Sequence, residues 1–173
     1  MSAPLTPSQT VGPYLALGLP WEDGPYAAAA GAPGAIRISG RVLDGSGDPI
    51  PDALVETWQS SPEIGVGFRA FARCPSDDDG RWFVLTLRPG PVPGPAGTTQ
   101  APHLDVSVFA RGMLHRVVTR IYFADEADAN ATDPVLTSVP PDRRETLLAR
   151  LGNDGHRFDI RIQGLDETVF FDV

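Results

Sequence analysis

His103 and Asp105 alternate with the apolar Leu104 and Val106 in the stretch APHLDVSVFARG, residues 101–112. Successive side chains of a β-strand point to opposite faces, so residues two apart share a face. An imidazole and a carboxylate side by side are two adjacent members of a metal donor set. A facial site needs two histidines and a carboxylate converging, with positions left open. A hairpin turning at Arg111-Gly112-Met113 could bring His115 across as the third donor. The same two side chains without a third make a surface pair or a hydrogen-bonded couple, and ligand type with spacing leaves both readings open.

Other groups are weaker candidates. Asp77-Asp78-Asp79-Gly80 is acidic but lacks the alternating oxygen ligands and closing glutamate of a calcium loop, so it reads as a solvated turn. Nothing fixes a distance between Glu56 and Glu63. Arg111 sits at a hairpin tip, where its planar fork could take a carboxylate in two-point fashion or simply face water. Trp58 and Trp82 read as packing aromatics. No nucleophile elbow, phosphate loop or dinucleotide fingerprint is present. Cys74, the one cysteine, reads as a small buried side chain.

Short strands must position these groups. AIRISGRVLD, ALVETWQ, the run from Arg81 to Leu87, HLDVSVFARG, HRVVTRIYF, HRFDIRIQG and ETVFFDV each carry strand patterning, separated by turn-forming stretches such as DGSGDPIPD. PPDRRETLLARL reads as the one short helix, with prolines in its first turn and Leu147, Leu148 and Leu151 as its stripe. DEADANA suggests a further helical turn. In GPYAAAAGAPGA, residues 24–35, Gly31 and Pro33 stop the alanines from continuing a helix, and the segment reads as flexible. The expected fold is all-β: one antiparallel β-sandwich domain spanning 1–173, with residues 1–34 as an extended N-terminal arm.

Composition narrows the function. The 173 residues carry 14 Lys plus Arg against 22 Asp plus Glu, a formal charge of -8 with no basic patch, which argues against nucleic acid as a partner. A lone cysteine cannot close an intrachain disulfide, and MSAPLTPSQT has neither a basic nor an apolar leader region. No apolar run approaches the ~20 residues of a membrane span. The expectation is a cytoplasmic protein that binds no membrane.

TPSQTVGPY, GRVLDGSGDPIPDALVETWQ, DDDGRWFVLTLRPG, APHLDVSVFARG, TRIYFADEADANATDPVL, RRETLLAR and RFDIRIQGLDETVFFDV follow one another in this order. Together they resemble the intradiol ring-cleavage dioxygenases over nearly the whole chain. The resemblance is to the α subunit of those members that are built from α and β chains. It implies a non-haem ferric ion held by two tyrosines and two histidines. Residues 60–67 have no tyrosine where the first belongs, Val92 stands where the second belongs, and the histidine pair becomes His103 and Asp105. The chain is therefore expected to hold no metal and no catalytic group by itself. The resemblance places Fe(3+) on a β-subunit partner that cleaves protocatechuate with O2 to 3-carboxy-cis,cis-muconate, in aromatic catabolism. It assigns this chain the wall of the substrate pocket through Thr10, Gly12, Pro13 and Arg111.

Two rivals are kept. The stretch from Gly40 to Gln59 also resembles the opening of transthyretin-like β-sandwiches, which would make the chain a non-catalytic binding module. His103, Asp105 and His115 would alternatively make a self-sufficient metalloenzyme.

Overall fold

The structure is a computed structural model, and it describes residues 5–12, 14–60 and 68–173. A short helix α1 (Leu15–Gly18) precedes β1 (Ala35–Leu43), β2 (Leu54–Trp58), β3 (Phe71–Pro75) and β4 (Arg81–Leu87). The small strands β5 (Val92–Pro93) and β6 (Thr99–Gln100) lead into β7 (His103–Phe109) and β8 (Val117–Phe123). Helices α2 (Ala127–Thr132) and α3 (Pro134–Ser138) follow, then β9 (Leu148–Gly152), β10 (Gly155–Arg157) and β11 (Ile160–Arg161).

The main sheet runs β11-β1-β10-β9-β8-β7-β2-β3, with β4 antiparallel to β1 from Ala35↔Leu87 to Arg41↔Arg81. It curls into a nearly closed wall. Alternation explains its interior: Ile38, Val42, Val84, Val106, Val108 and Ile121 all point inward and are buried. Burying each such side chain is worth about 1.5–3 kcal/mol. Residues between them face out, which is why the proposed ionisable pair on β7 shares the face opposite Leu104, Val106 and Val108.

The all-β expectation holds, with four corrections. The sheet is mixed rather than purely antiparallel: β1 runs parallel to β10 and β11, and β8 runs parallel to β9. PPDRRETLLARL is not a helix. It opens as a turn, its middle is a 3-10 turn, Arg144–Leu147, and its end is β9, paired with β8 through Tyr122↔Leu148 and Phe123↔Ala149 and with β10 through Leu151↔His156. Leu151, assigned to an apolar stripe, is 69% exposed. The open edge of β8 supplied hydrogen bonds and burial that outweighed local helix preference. The DEADANA stretch does hold a helix, α2.

Residues 24–35 are not loose. Ala28 donates to Leu85 O, Arg69 to Ala27 O and Leu85 to Pro25 O through backbone bonds, and Ala27 and Ala28 are buried in the core. Small side chains are what allow that close approach. ETVFFDV forms no strand and makes only an isolated bridge, Val118↔Phe171. Among the described residues no helix is long and apolar enough to cross a membrane.

Candidate functional site

The β7–β8 hairpin forms as its sequence predicts, and its register decides what surrounds His103. Cα pairing places His103 opposite Tyr122 and Asp105 opposite Arg120. Val92 pairs with Gln100 in the β5–β6 ribbon that leads into β7. Three positions that the resemblance reserves for iron ligands, Val92, His103 and Asp105, are thus joined by one short run of contacts.

What fills that region is not a metal donor set. Nε of Arg120 donates to Asp105 Oδ1 at 2.9 Å, and its Nη1 donates to Gln100 Oε1 at 2.7 Å and to Tyr122 OH at 3.3 Å. Tyr122 in turn donates to Asp133 Oδ1 at 3.1 Å. Burial pushes the Tyr122 phenol well above its usual range, so it is a neutral donor and not a phenolate. Asp133 is fully buried and caps α3, accepting from Val135 N, Leu136 N and Ala101 N.

His103 is buried, and its Nδ1 donates to Ala101 O at 2.7 Å. That bond fixes the tautomer with a lone pair on Nε2, which lies 3.9 Å from Asp105 Oδ1. Burial, with Arg120 nearby, lowers the His103 pKa and keeps the ring neutral. His115 is exposed beyond the start of β8, whereas His103 pairs at the far end of that strand. At about 3.3 Å per residue the two histidines cannot share an ion.

Among the described residues no group of three His, Cys, Asp or Glu side chains is placed to hold a metal. Ferric iron is a hard, highly charged ion that favours anionic oxygen donors. Here one carboxylate is already paired with a guanidinium and the one phenol is protonated. The described residues do not fit it; of the stretch 60–67, where the resemblance puts the first tyrosine, residues 61–67 lie outside the described residues. The reading of Asp77-Asp78-Asp79 as a turn agrees with the structure: Asp77 Oδ1 accepts from the backbone of Asp79 and Arg81. Glu56 pairs with Arg73, and Glu63 lies outside the described residues. Cys74 is buried and its thiol pKa is raised by burial, which makes it a poor nucleophile.

A second constellation lies at the tip of the same hairpin. Thr10 Oγ1 accepts from Gly112 N at 3.1 Å, across 102 residues of chain, and from Gly12 N at 3.4 Å. The N-terminal motif therefore rests directly beside Arg111. Gly12 has φ +69° with open space where a Cβ would stand, so its glycine serves the backbone turn and not packing within this chain. Pro13 lies outside the described residues. Arg111 is 62% exposed and forms an ion pair through Nε with Asp52 on the turn before β2. It is an ionic contact and not an aligned hydrogen bond, since the buried Asp52 Oδ2 gains no properly angled donor. The arm around Thr10 also exposes Leu5, Val11, Tyr14 and Leu17.

Sequence reasoning singled out His103, Asp105, Thr10, Gly12 and Arg111 but missed Gln100, Arg120, Tyr122, Asp133 and Asp52. A signal existed for two of them. TRIYF puts Arg120 and Tyr122 on one strand face, and counting back across the hairpin sets them opposite Asp105 and His103. Asp133 and Asp52 arrive through loops, where no periodicity points to them.

A family profile described as "Dioxygenase" matches residues 12–164. The protocatechuate 3,4-dioxygenase alpha chain of Pseudomonas putida is 42% identical over 194 residues, covering 98% of this chain and 96% of that protein. The protocatechuate 3,4-dioxygenase beta chain of Burkholderia cepacia is 31% identical over 156 residues, covering 77% of this chain and 66% of that protein. The solved dioxygenase domain of a carbohydrate-binding fusion protein from Streptomyces sp. SirexAA-E shares the fold, with TM-score 0.62 and 25% identity over 92% of this chain and 99% of that one.

Proposed function

The chain belongs to the intradiol ring-cleavage dioxygenases, and from that membership we propose that it is the alpha chain of a protocatechuate 3,4-dioxygenase. The family is iron-dependent. In this reading the ferric ion sits on a beta chain of the same fold. The complex opens protocatechuate with O2 between its two hydroxylated carbons, giving 3-carboxy-cis,cis-muconate. This chain, one domain over 1–173 with residues 1–34 as its arm, works in the cytoplasm, binds no metal and supplies part of the substrate pocket.

The observation that carries the reading is the Thr10–Gly112 hydrogen bond. It sets the arm beside Arg111 on an exposed rim, where both face whatever packs against the hairpin tip. Thr10, Gly12, Pro13 and Arg111 then form one wall of a pocket completed by the partner. Protocatechuate carries a carboxylate in addition to its two hydroxyls. Asp52 meets Arg111 at Nε, so the terminal nitrogens remain for a two-point contact with that carboxylate. The contact orients the ring and excludes water while the chemistry proceeds on the partner. The exposed apolar side chains of the arm supply the contact area for that partner.

The transthyretin-like binding module lacks support from the full-length match, and the self-sufficient metalloenzyme fails because His115 stands apart from His103. Expression with and without the beta chain tests the proposal. Colour, iron and ring cleavage should appear only in the co-expressed pair, and deletion of residues 1–20 should leave a soluble chain that no longer joins its partner. Stoichiometric iron and catechol-dependent oxygen uptake in this chain alone would overturn it.

A further inference from the structure

Arg120 holds a position that needs explanation. Its side chain is only 19% exposed, and its guanidinium meets oxygen atoms of three residues on three strands: Asp105 on β7, Gln100 on β6 and Tyr122 on β8 itself. A charged group withdrawn from water is tolerated only when it is paired and its donors are satisfied. Here carboxylate, amide carbonyl and phenol oxygens converge on one cation, as oxygen donors do around a hard metal ion. His103 presents its Nε2 lone pair to the same cluster, with Nδ1 tied to a backbone carbonyl in the manner of a metal-ligating histidine. Donor types suited to a cation surround this point, and the cation is a side chain.

We propose that Arg120 is the resident cation of this site: its guanidinium takes the place a metal would need, ties β6, β7 and β8 together, and closes the cluster to metal ions. A second cation entering beside Arg120 would meet repulsion and find Asp105 already engaged. Through Tyr122 the same group steadies Asp133, hence the start of α3 and the backbone of Ala101. The inference concerns this chain alone and does not depend on which partner it joins.

The test is metal rescue of the full-length chain, with zinc ion alone as the probe. Removing the cation in Arg120→Leu leaves Asp105, Gln100 and the His103 nitrogen without one. The melting temperature should fall by roughly 5–10 °C, the range for breaking a partly buried pair in a chain of this size. Millimolar zinc should recover a large part of that loss in Arg120→Leu and leave wild type unchanged. Cobalt(II) should give a visible ligand-field band with the variant and none with wild type. Adding Asp105→Asn to Arg120→Leu should abolish both responses, which separates this cluster from other surface carboxylates. Should Arg120→Leu fail to fold, Arg120→Gln carries the same comparison; folding of either variant only in zinc-supplemented medium counts in favour. The proposal is overturned if zinc stabilises wild type as much as the variant, if neither variant responds to zinc, or if Arg120→Leu melts with wild type.

Discussion

Replacing Arg111 by alanine in the assembled enzyme should disturb two things that can be separated. The first is substrate recognition. A charge-assisted, two-point contact to a carboxylate is worth about 1.5–3 kcal/mol. Its loss corresponds to a fall in kcat/KM of roughly 10- to 150-fold. The carboxylate lies away from the carbon–carbon bond that breaks, so ground state and transition state lose the contact alike, and KM should rise with kcat little changed. The second effect is on folding. Asp52 is only 17% exposed and has one oxygen buried, so removal of Arg111 strands a carboxylate. Because Arg111 itself is 62% exposed, the cost belongs at the low end, about 1 kcal/mol, or roughly 2–4 °C in melting temperature. Asp52→Asn removes the stranded charge. The double variant Arg111→Ala/Asp52→Asn should therefore regain the melting temperature while keeping the raised KM, and iron content should be equal in every variant. Steady-state kinetics and thermal melts on the four proteins of this cycle decide the matter. Recovery of KM together with stability in the double variant would refute the reasoning, because Arg111 would then act only by holding the hairpin tip.

Two further expectations concern the scaffold. His156 is buried, and its Nε2 accepts from Arg88 Nη1 at 3.2 Å; Phe123 packs edge-on against the ring, and Asp125 pairs with Arg88. Burial first, and Arg88 second, lower its pKa from 6.5. The unfolded chain therefore binds the proton more readily: the contribution of His156 to stability is complete above about pH 6.5 and is lost as pH falls toward the depressed folded pKa. His156→Gln should flatten the decline of melting temperature between about pH 7 and pH 5, and an unchanged slope would remove His156 as its source. Leu147 is fully buried and Leu151 is 69% exposed. Leu147→Ala should cost about 2–5 kcal/mol in denaturant unfolding, whereas Leu151→Ala should stay within about 0.5 kcal/mol; equal losses would restore the helical stripe that the strand β9 replaces.

Much of the fold was legible because alternation is a local signal. β1, β4 and the β7–β8 hairpin could be read from runs of a few residues and their turns, and the hairpin in turn implied that His103 and Asp105 share a face. The 3-10 turn and strand over residues 144–152 were not legible, since their apolar spacing suits a helix equally well. Pairing with β8 on one side and β10 on the other settled that contest. Ala27 and Ala28 were misread for a related reason: small residues without periodicity look loose until a sheet is present to cover.

The amino-acid sequence by itself determined that residues 60–67 contain no tyrosine and that position 92 is a valine. It also determined the all-β class and the motif order that marks the family. Only the tertiary structure decided what stands in the metal's stead and what reaches the rim. Arg120 meets Gln100 and Asp105 because strand register brings side chains 20 and 15 positions apart within hydrogen-bonding distance. Thr10 meets Gly112 because the arm folds back over 102 residues. Local patterning specifies the faces of an element, but the partner each face meets follows from long-range pairing, which no short window of sequence contains.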